Sequence, residues 1–382
     1  MKYWVFYLGE PARKNVEWHE DYSETDEFES AAEIYRNIID EAVLAEDLGY
    51  EGIWLAEHHF ASNYSLSPNP LTLLAAVAAR TSRLKLGAGV TCLPEHHPVN
   101  VAEDIALLDQ ISEGRVDTCI GRGVFPDEYG GFGVPIAESH ERYAEGLNLL
   151  HRLFNETDVL HEGKAWQCTT PVTLAPGPYQ EPHPPLWLAA NSLSTIGIAL
   201  DSGMDVVFNV GVFGVERLTE FREGFDTECE RRDVDPASVR FGAQVWAHYA
   251  PTPERIEKAA HAARVVIRAA GRRVGAPRQY TKDGIVDLTA PTAATALGDV
   301  TEGDFQYTTA DGEATTEDIL ATNMIGDADR ILHMANIYKD LGVTDLILIM
   351  DTGDITPAER RETMSEIASI LDVAAATRAG VA

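Results

Sequence analysis

The chain has 382 residues, 45% hydrophobic and 24% charged, an ordinary globular composition. Thirty basic residues, only seven of them lysine, stand against 61 acidic ones and give a net charge of −31. So negative a surface argues against non-specific binding to nucleic acid or to anionic membranes, both of which need a cationic face.

No apolar run approaches the roughly 18–20 residues of a membrane span. The opening run Met1–Tyr7 lacks the apolar core and small-residue cleavage site of a signal peptide. Four widely spaced cysteines, Cys92, Cys119, Cys168 and Cys229, fit a reducing cytoplasm. A strand is predicted over 3–9, followed by an acidic connection from Glu10 to Ser30. A helix over 31–48 gathers Ile34, Ile38, Val43, Leu44 and Leu48 on one face. Strands follow at 51–57, 84–92, 116–121, 185–190, 205–210, 239–249 and 344–350. Helices fill 69–80, 99–112, 138–154, 193–202, 214–232, 253–273, 326–341 and 357–376. Near-continuous apolar runs such as Leu346–Met350 are what parallel strands covered on both faces require.

Eight strands alternating with about eight barrel helices predict an α/β fold, a (β/α)8 TIM barrel, as one domain over 1–377. A doubly wound sheet is the runner-up, weakened by the absence of Gly-x-Gly-x-x-Gly after the first strand. The polar stretch 274–323 after the seventh strand is too long for an ordinary connection and is expected to be a lid or insertion. Residues 378–382 are expected to fray.

Barrel active sites lie where strands end. Strand two ends in Glu57-His58-His59-Phe60, strand three in Leu93-Pro94-Glu95-His96-His97-Pro98, strand four in Gly121-Arg122-Gly123-Val124-Phe125 and strand five in Asn191-Ser192-Leu193-Ser194-Thr195. Arg122 with the hydroxyls and amides opening the next helix suits an anion such as a phosphate. A sugar phosphate would fit it as well as any other. Neutral imidazoles suit proton transfer near neutral pH. A metal site from His58, His59, His96 and His97 stays open, because strands two and three are neighbours. No third ligand follows at metal spacing, so no metal is expected.

Together Trp54–Phe60, the Leu93–Pro98 segment with Ala102-Glu103-Asp104 and Leu107-Leu108-Asp109-Gln110, Ser112–Arg115, Arg122-Gly123 and Asn191–Thr195 resemble the luciferase-like flavin monooxygenase family, and in particular the bacterial luciferase α subunit. The resemblance implies that Arg122, Ser192 and Thr195 hold the FMN phosphate, with Asn191 and Val124 beside the cofactor. It implies that Gly89 and Val90 flank the flavin ring across a cis peptide, and that His58 is the general acid/base near a flavin C4a-peroxide. His59 would orient His58 or the substrate. Gly121 stands where luciferase has its reactive cysteine, and Asn191 where luciferase has a Glu. Gly121 is expected to leave room beside the ring, and both changes make light emission doubtful.

The expected function is a two-component monooxygenase, fed with reduced FMN by a separate reductase, which inserts one atom of O2 into a small organic substrate. Trp4, Phe6, Phe125, Phe132 and Trp187 are candidates to bind that substrate at the barrel mouth. The alternatives are a deazaflavin-dependent hydride-transfer oxidoreductase and a non-catalytic flavin-binding protein. The resemblance also implies a homodimer, with the second and third helices as interface candidates. The excess of Asp and Glu with few Lys suggests adaptation to a high-salt cytoplasm.

Overall fold

Parallel pairing runs around eight strands: β1 (Lys2–Tyr7), β2 (Gly52–Leu55), β3 (Lys85–Cys92), β4 (Thr118–Gly121), β5 (Leu186–Ala189), β6 (Asp205–Asn209), β7 (Phe241–Tyr249) and β8 (Asp345–Ile349). β1 lies between β2 and β8, and β6 pairs with β7, so the sheet closes. The predicted (β/α)8 barrel is the fold. In this computed structural model the described residues are all but 15–26, 62–63, 191, 276–277, 282–283, 288–307, 310–311, 314 and 380–382.

Helix ends follow local chemistry. The helix Ala31–Leu48 starts at a capping box between Ser30 and Glu33 and stops at Gly49 in the left-handed conformation. Within Val210–Arg232, Gly214 at φ 86° is a non-helical break between a short helical turn, 210–213, and the helix the sequence predicts.

Several elements stand outside the predicted pattern. An antiparallel hairpin, Val159–Glu162 with Gln167–Val172, stands outside the barrel. A short helix, Pro126–Gly131, follows β4. Strand Met324–Gly326 pairs in parallel with the end of β7. Of the stretch 274–323, the described parts include the antiparallel pair Arg278–Thr281 and Gly284–Asp287 and the helix Thr316–Thr322. The rest of the expected lid, and residues 380–382 of the expected frayed tail, lie outside the described residues.

Alternation decides what fills the barrel. Trp4, Phe6, Trp54, Cys119, Trp187, Val207, Trp246, Ile347 and Ile349 form its interior, while Val5, Tyr7, Ile53, Leu55, Leu346 and Leu348 pack under the helices. Trp4 and Trp187 are fully buried, so these two and Phe6 are core rather than substrate-binding residues at the mouth. Buried indoles need acceptors. Trp4 Nε1 donates to Asp345 Oδ1 at 2.8 Å and Trp187 Nε1 to Asp117 Oδ1 at 2.6 Å. Arg240 neutralises that floor, reaching Asp117 and Asp205 at 2.7 Å each and lying 4.2 Å over the Trp187 ring.

His248, on β7, is buried, with Nε2 3.0 Å from Thr352 Oγ1 and, among the described residues, no hydrogen-bond partner for Nδ1. Burial lowers its pKa from 6.5 to about 3. Below 6.5 the unfolded chain takes up this proton and the folded one does not, so stability falls as pH drops through that window. In His248→Gln this loss disappears. The urea-unfolding free energies of parent and variant are therefore expected to converge on acidification, by up to about 1.4 kcal/mol per pH unit. Parallel curves would refute the assignment.

Candidate active site

The C-terminal ends of β2, β3, β4 and β5 border one cavity of about 270 Å³, on the face where barrel enzymes act. His58, Gly89, Val90, Arg122, Val124, Ser192 and Thr195 all line it, joined by Glu128, His140, Tyr143 and Ser194. Asn191 lies outside the described residues. Phe125 lines the cavity as well. Phe132 does not, and sits partly exposed with its ring edge-to-face against the His59 ring, centroids 4.7 Å apart.

One part of the lining is built for an anion. Ser192 caps the helix Leu193–Asp201, and its Oγ lies 2.9 Å from Ser194 Oγ and 2.8 Å from Thr195 Oγ1. Three hydroxyls thus gather where first-turn amides and the helix dipole favour negative charge. Arg122 extends from β4, and its Nη1 donates to Ser139 Oγ at 3.0 Å. The Tyr129 hydroxyl donates to the Arg122 carbonyl, fixing the backbone as well. Burial lowers the Arg122 pKa, the direction expected of a cation held out of water, and a bound anion would offset that cost.

The other part is built for proton transfer. His58 Nδ1 lies 3.2 Å from Glu128 Oε1, and its ring packs against Tyr64 and Phe125 with centroids 5.0 and 5.3 Å away. The same oxygen accepts the His59 amide at 2.9 Å and Arg273 Nη2 at 3.0 Å. Burial alone would raise the Glu128 carboxyl, but its bond to His58 and the Arg273 charge bring it below the ordinary value. A carboxylate at Nδ1 fixes the tautomer that carries its proton there and leaves Nε2 as the working nitrogen. Arg273 arrives from the helix Pro253–Gly275, 4.0 Å over the Phe125 ring, and also binds Asp127 at 2.9 Å.

Residues 19–345 match the family model described as luciferase-like monooxygenase. The chain belongs to the luciferase-like monooxygenase family. It is 27% identical over 84% of its length to the oxygenase component of the flavin-dependent trigonelline monooxygenase of Acinetobacter baylyi, and covers 84% of that protein. Monooxygenase RslO1 from Streptomyces bottropensis superimposes with a TM-score of 0.72 at 25% identity, over 97% of this chain and 98% of that one. An F420-dependent secondary alcohol dehydrogenase shares the fold, with a TM-score of 0.70 at 17% identity over 98% of this chain and 99% of that one.

In this luciferase-like monooxygenase the Gly89–Val90 peptide is cis. Gly121 lines the cavity, but a Cβ on it would meet Val90 Cγ2 at 2.3 Å and Val90 Cβ at 2.8 Å. Gly121→Cys is therefore expected to destabilise the apoprotein by about 1–3 kcal/mol through overpacking. Val90→Ala in the same chain should recover most of that loss, measured by denaturant unfolding. Additive losses would show that Val90 is not the obstacle.

His59 leaves the cavity. Its Nε2 meets Glu57 Oε1 at 3.1 Å, and the His96 ring reaches the same oxygen. His97 caps the next helix, accepting from the Val99 amide at 3.2 Å, with its ring against Trp166. Glu128, Ser194, His140 and Arg273 were not singled out from the sequence. Glu128 carried one signal, a carboxylate in the loop beside an expected base, which is how imidazoles are usually oriented. Arg273 carried none, lying 145 residues beyond Glu128.

Among the described residues no helix is long and apolar enough to cross a membrane.

Proposed function

We propose that this luciferase-like monooxygenase is the oxygenase component of a two-component system, receiving reduced FMN from a separate reductase and placing one atom of O2 on a small organic substrate. One observation carries the reading: a carboxylate-paired imidazole and an arginine-hydroxyl anion site line the same cavity. Reduced FMN, when bound, supplies the electrons that activate oxygen.

The chain's own residues do the rest. Arg122, Ser192, Ser194 and Thr195 would bind the phosphate. The hydroxyl cluster suits it because each oxygen can turn its hydrogen outward. Gly89, Val90 and Val124 would flank the ring. His58, held by Glu128, gives and takes a proton at Nε2. Arg273 ties the chain after β7 to the loop after β4. The insertion 274–323 is proposed to extend that closure and keep water from the reaction. Leu107 and Ile111, one turn apart and about half exposed on the helix Pro98–Ser112, form an apolar pair that a second copy would cover.

Anaerobic titration with reduced FMN, then with reduced deazaflavin, followed by oxygen uptake, tests the reading. Tight binding of reduced FMN and oxygen consumption are expected. Turnover with reduced deazaflavin but no oxygen uptake with FMN would replace it with hydride transfer. FMN binding with neither activity across a substrate screen would leave a non-catalytic flavin carrier.

A further inference from the structure

We propose that Glu57, His59, Glu95 and His96 form a binding site for one divalent transition-metal ion of the zinc class. The site does not rest on the proposed activity, and Glu57 is the one member of the four that also lines the large cavity.

Two adjacent strand ends supply the donors. Glu57 and His59 follow β2, while Glu95 and His96 belong to the turn Leu93–His96 that ends β3. The donor atoms of Glu57, His59 and His96 lie within 4.8 Å of one another, as do those of Glu57, Cys92 and Glu95. His59 Nε2 and Glu57 Oε1 are 3.1 Å apart. That is close to the ligand-to-ligand spacing around a cation with bonds of about 2.0–2.2 Å.

The distribution of hydrogen bonds points the same way. One carboxylate oxygen, Glu57 Oε1, receives both imidazoles. A second carboxyl, Glu95, has its Oε2 4.0 Å from His59 Nε2, and its side chain is fully out of solvent. Among the described residues neither of its oxygens has a hydrogen-bond partner. A buried carboxyl without a partner is costly. The carboxylates of Glu128, Glu57 and Asp127 lie near enough to repel its charge. A dication at this place would turn that repulsion into binding. Two imidazole nitrogens with two carboxylates are a donor set for zinc, cobalt(II), manganese(II) or iron(II) rather than for calcium. A small cavity of about 40 Å³, lined by Glu57, Thr91, His96 and Asp104, adjoins the cluster and has room for a water ligand. Binding exchanges protons for the metal, because each ligand must present a lone pair.

The full-length protein, stripped with EDTA and exchanged into excess Mg²⁺ to occupy surface acids, is titrated with Co²⁺. A saturable visible ligand-field band is expected at about one Co²⁺ per chain, displaced by Zn²⁺. Zn²⁺ should raise the thermal midpoint. Glu95→Gln, which keeps the shape of the side chain, and His96→Ala should each weaken Co²⁺ binding by about tenfold or more. Circular dichroism of the metal-free variants checks their fold. If His96→Ala does not fold, Glu95→Gln decides alone. No saturable band, or a band unchanged in the variants that fold, would mean a hydrogen-bonded ion cluster in which Glu57 simply shares the His96 proton.

Discussion

His58→Gln is expected to cut turnover with reduced FMN by about 10²–10⁴-fold, the usual share of a general acid or base. The glutamine keeps most of the side-chain volume between Tyr64 and Phe125, so FMN affinity should change little. Glu128→Gln removes the charge at Nδ1 but leaves an acceptor, and a loss of about 10–100-fold is expected, as for other residues that orient a working group. Arg273→Ala should act in the same direction and more weakly, because Glu128 keeps the His59 amide as a second anchor. The graded order separates a proton-transfer role from mere packing. Exogenous imidazole restoring part of the His58→Gly activity would place the lost function at that ring. Turnover unchanged in His58→Gln would remove His58 from the chemistry, whatever the variants around it do.

The barrel was legible because its physics is local. Strands buried on both faces read as unbroken apolar runs, and the helix Ala31–Leu48 carries a capping box at one end and glycine at the other. The hairpin Val159–Val172 was missed because it stands outside the barrel, with Leu160, Gln167, Thr169 and Thr170 exposed, so no alternating pattern is enforced. The helix Pro126–Gly131 holds two glycines in six residues and has no periodicity to detect.

Strand-end residues such as His58 and Arg122 were legible because a barrel fixes where strand ends go. The tryptophans were misplaced for the complementary reason: an inward residue at mid-strand and one at the mouth look alike in sequence. Trp4 and Trp187 turn out to be stitched to Asp345 and Asp117 on the barrel floor. The proposed metal site adds Glu57 and Glu95, which stand beside the histidines at both strand ends but whose approach to one another no spacing along the chain reveals. They reach one another only because β2 and β3 pair in register.

Arg122→Ala is the sharpest test of the anion site. A charge-assisted hydrogen bond contributes about 1.5–3 kcal/mol. Removing a guanidinium that makes one or two of them, about 1.5–6 kcal/mol in all, should raise the FMN dissociation constant by about 10- to 10⁴-fold. Riboflavin lacks the phosphate and should bind the variant and the parent within about threefold, well under 1 kcal/mol. Arg122→Lys keeps the charge but not the planar fork, and should fall between the two. The net charge of −31 adds a second signature. The global field repels the phosphate and is screened by salt, whereas the contact at a largely buried arginine is screened much less. FMN affinity of the parent should therefore rise as ionic strength goes from about 10 mM to about 150 mM, and riboflavin affinity should stay flat. Equal losses for FMN and riboflavin in Arg122→Ala would mean that Arg122 supports the fold of the β4 loop through Ser139 and does not hold the phosphate.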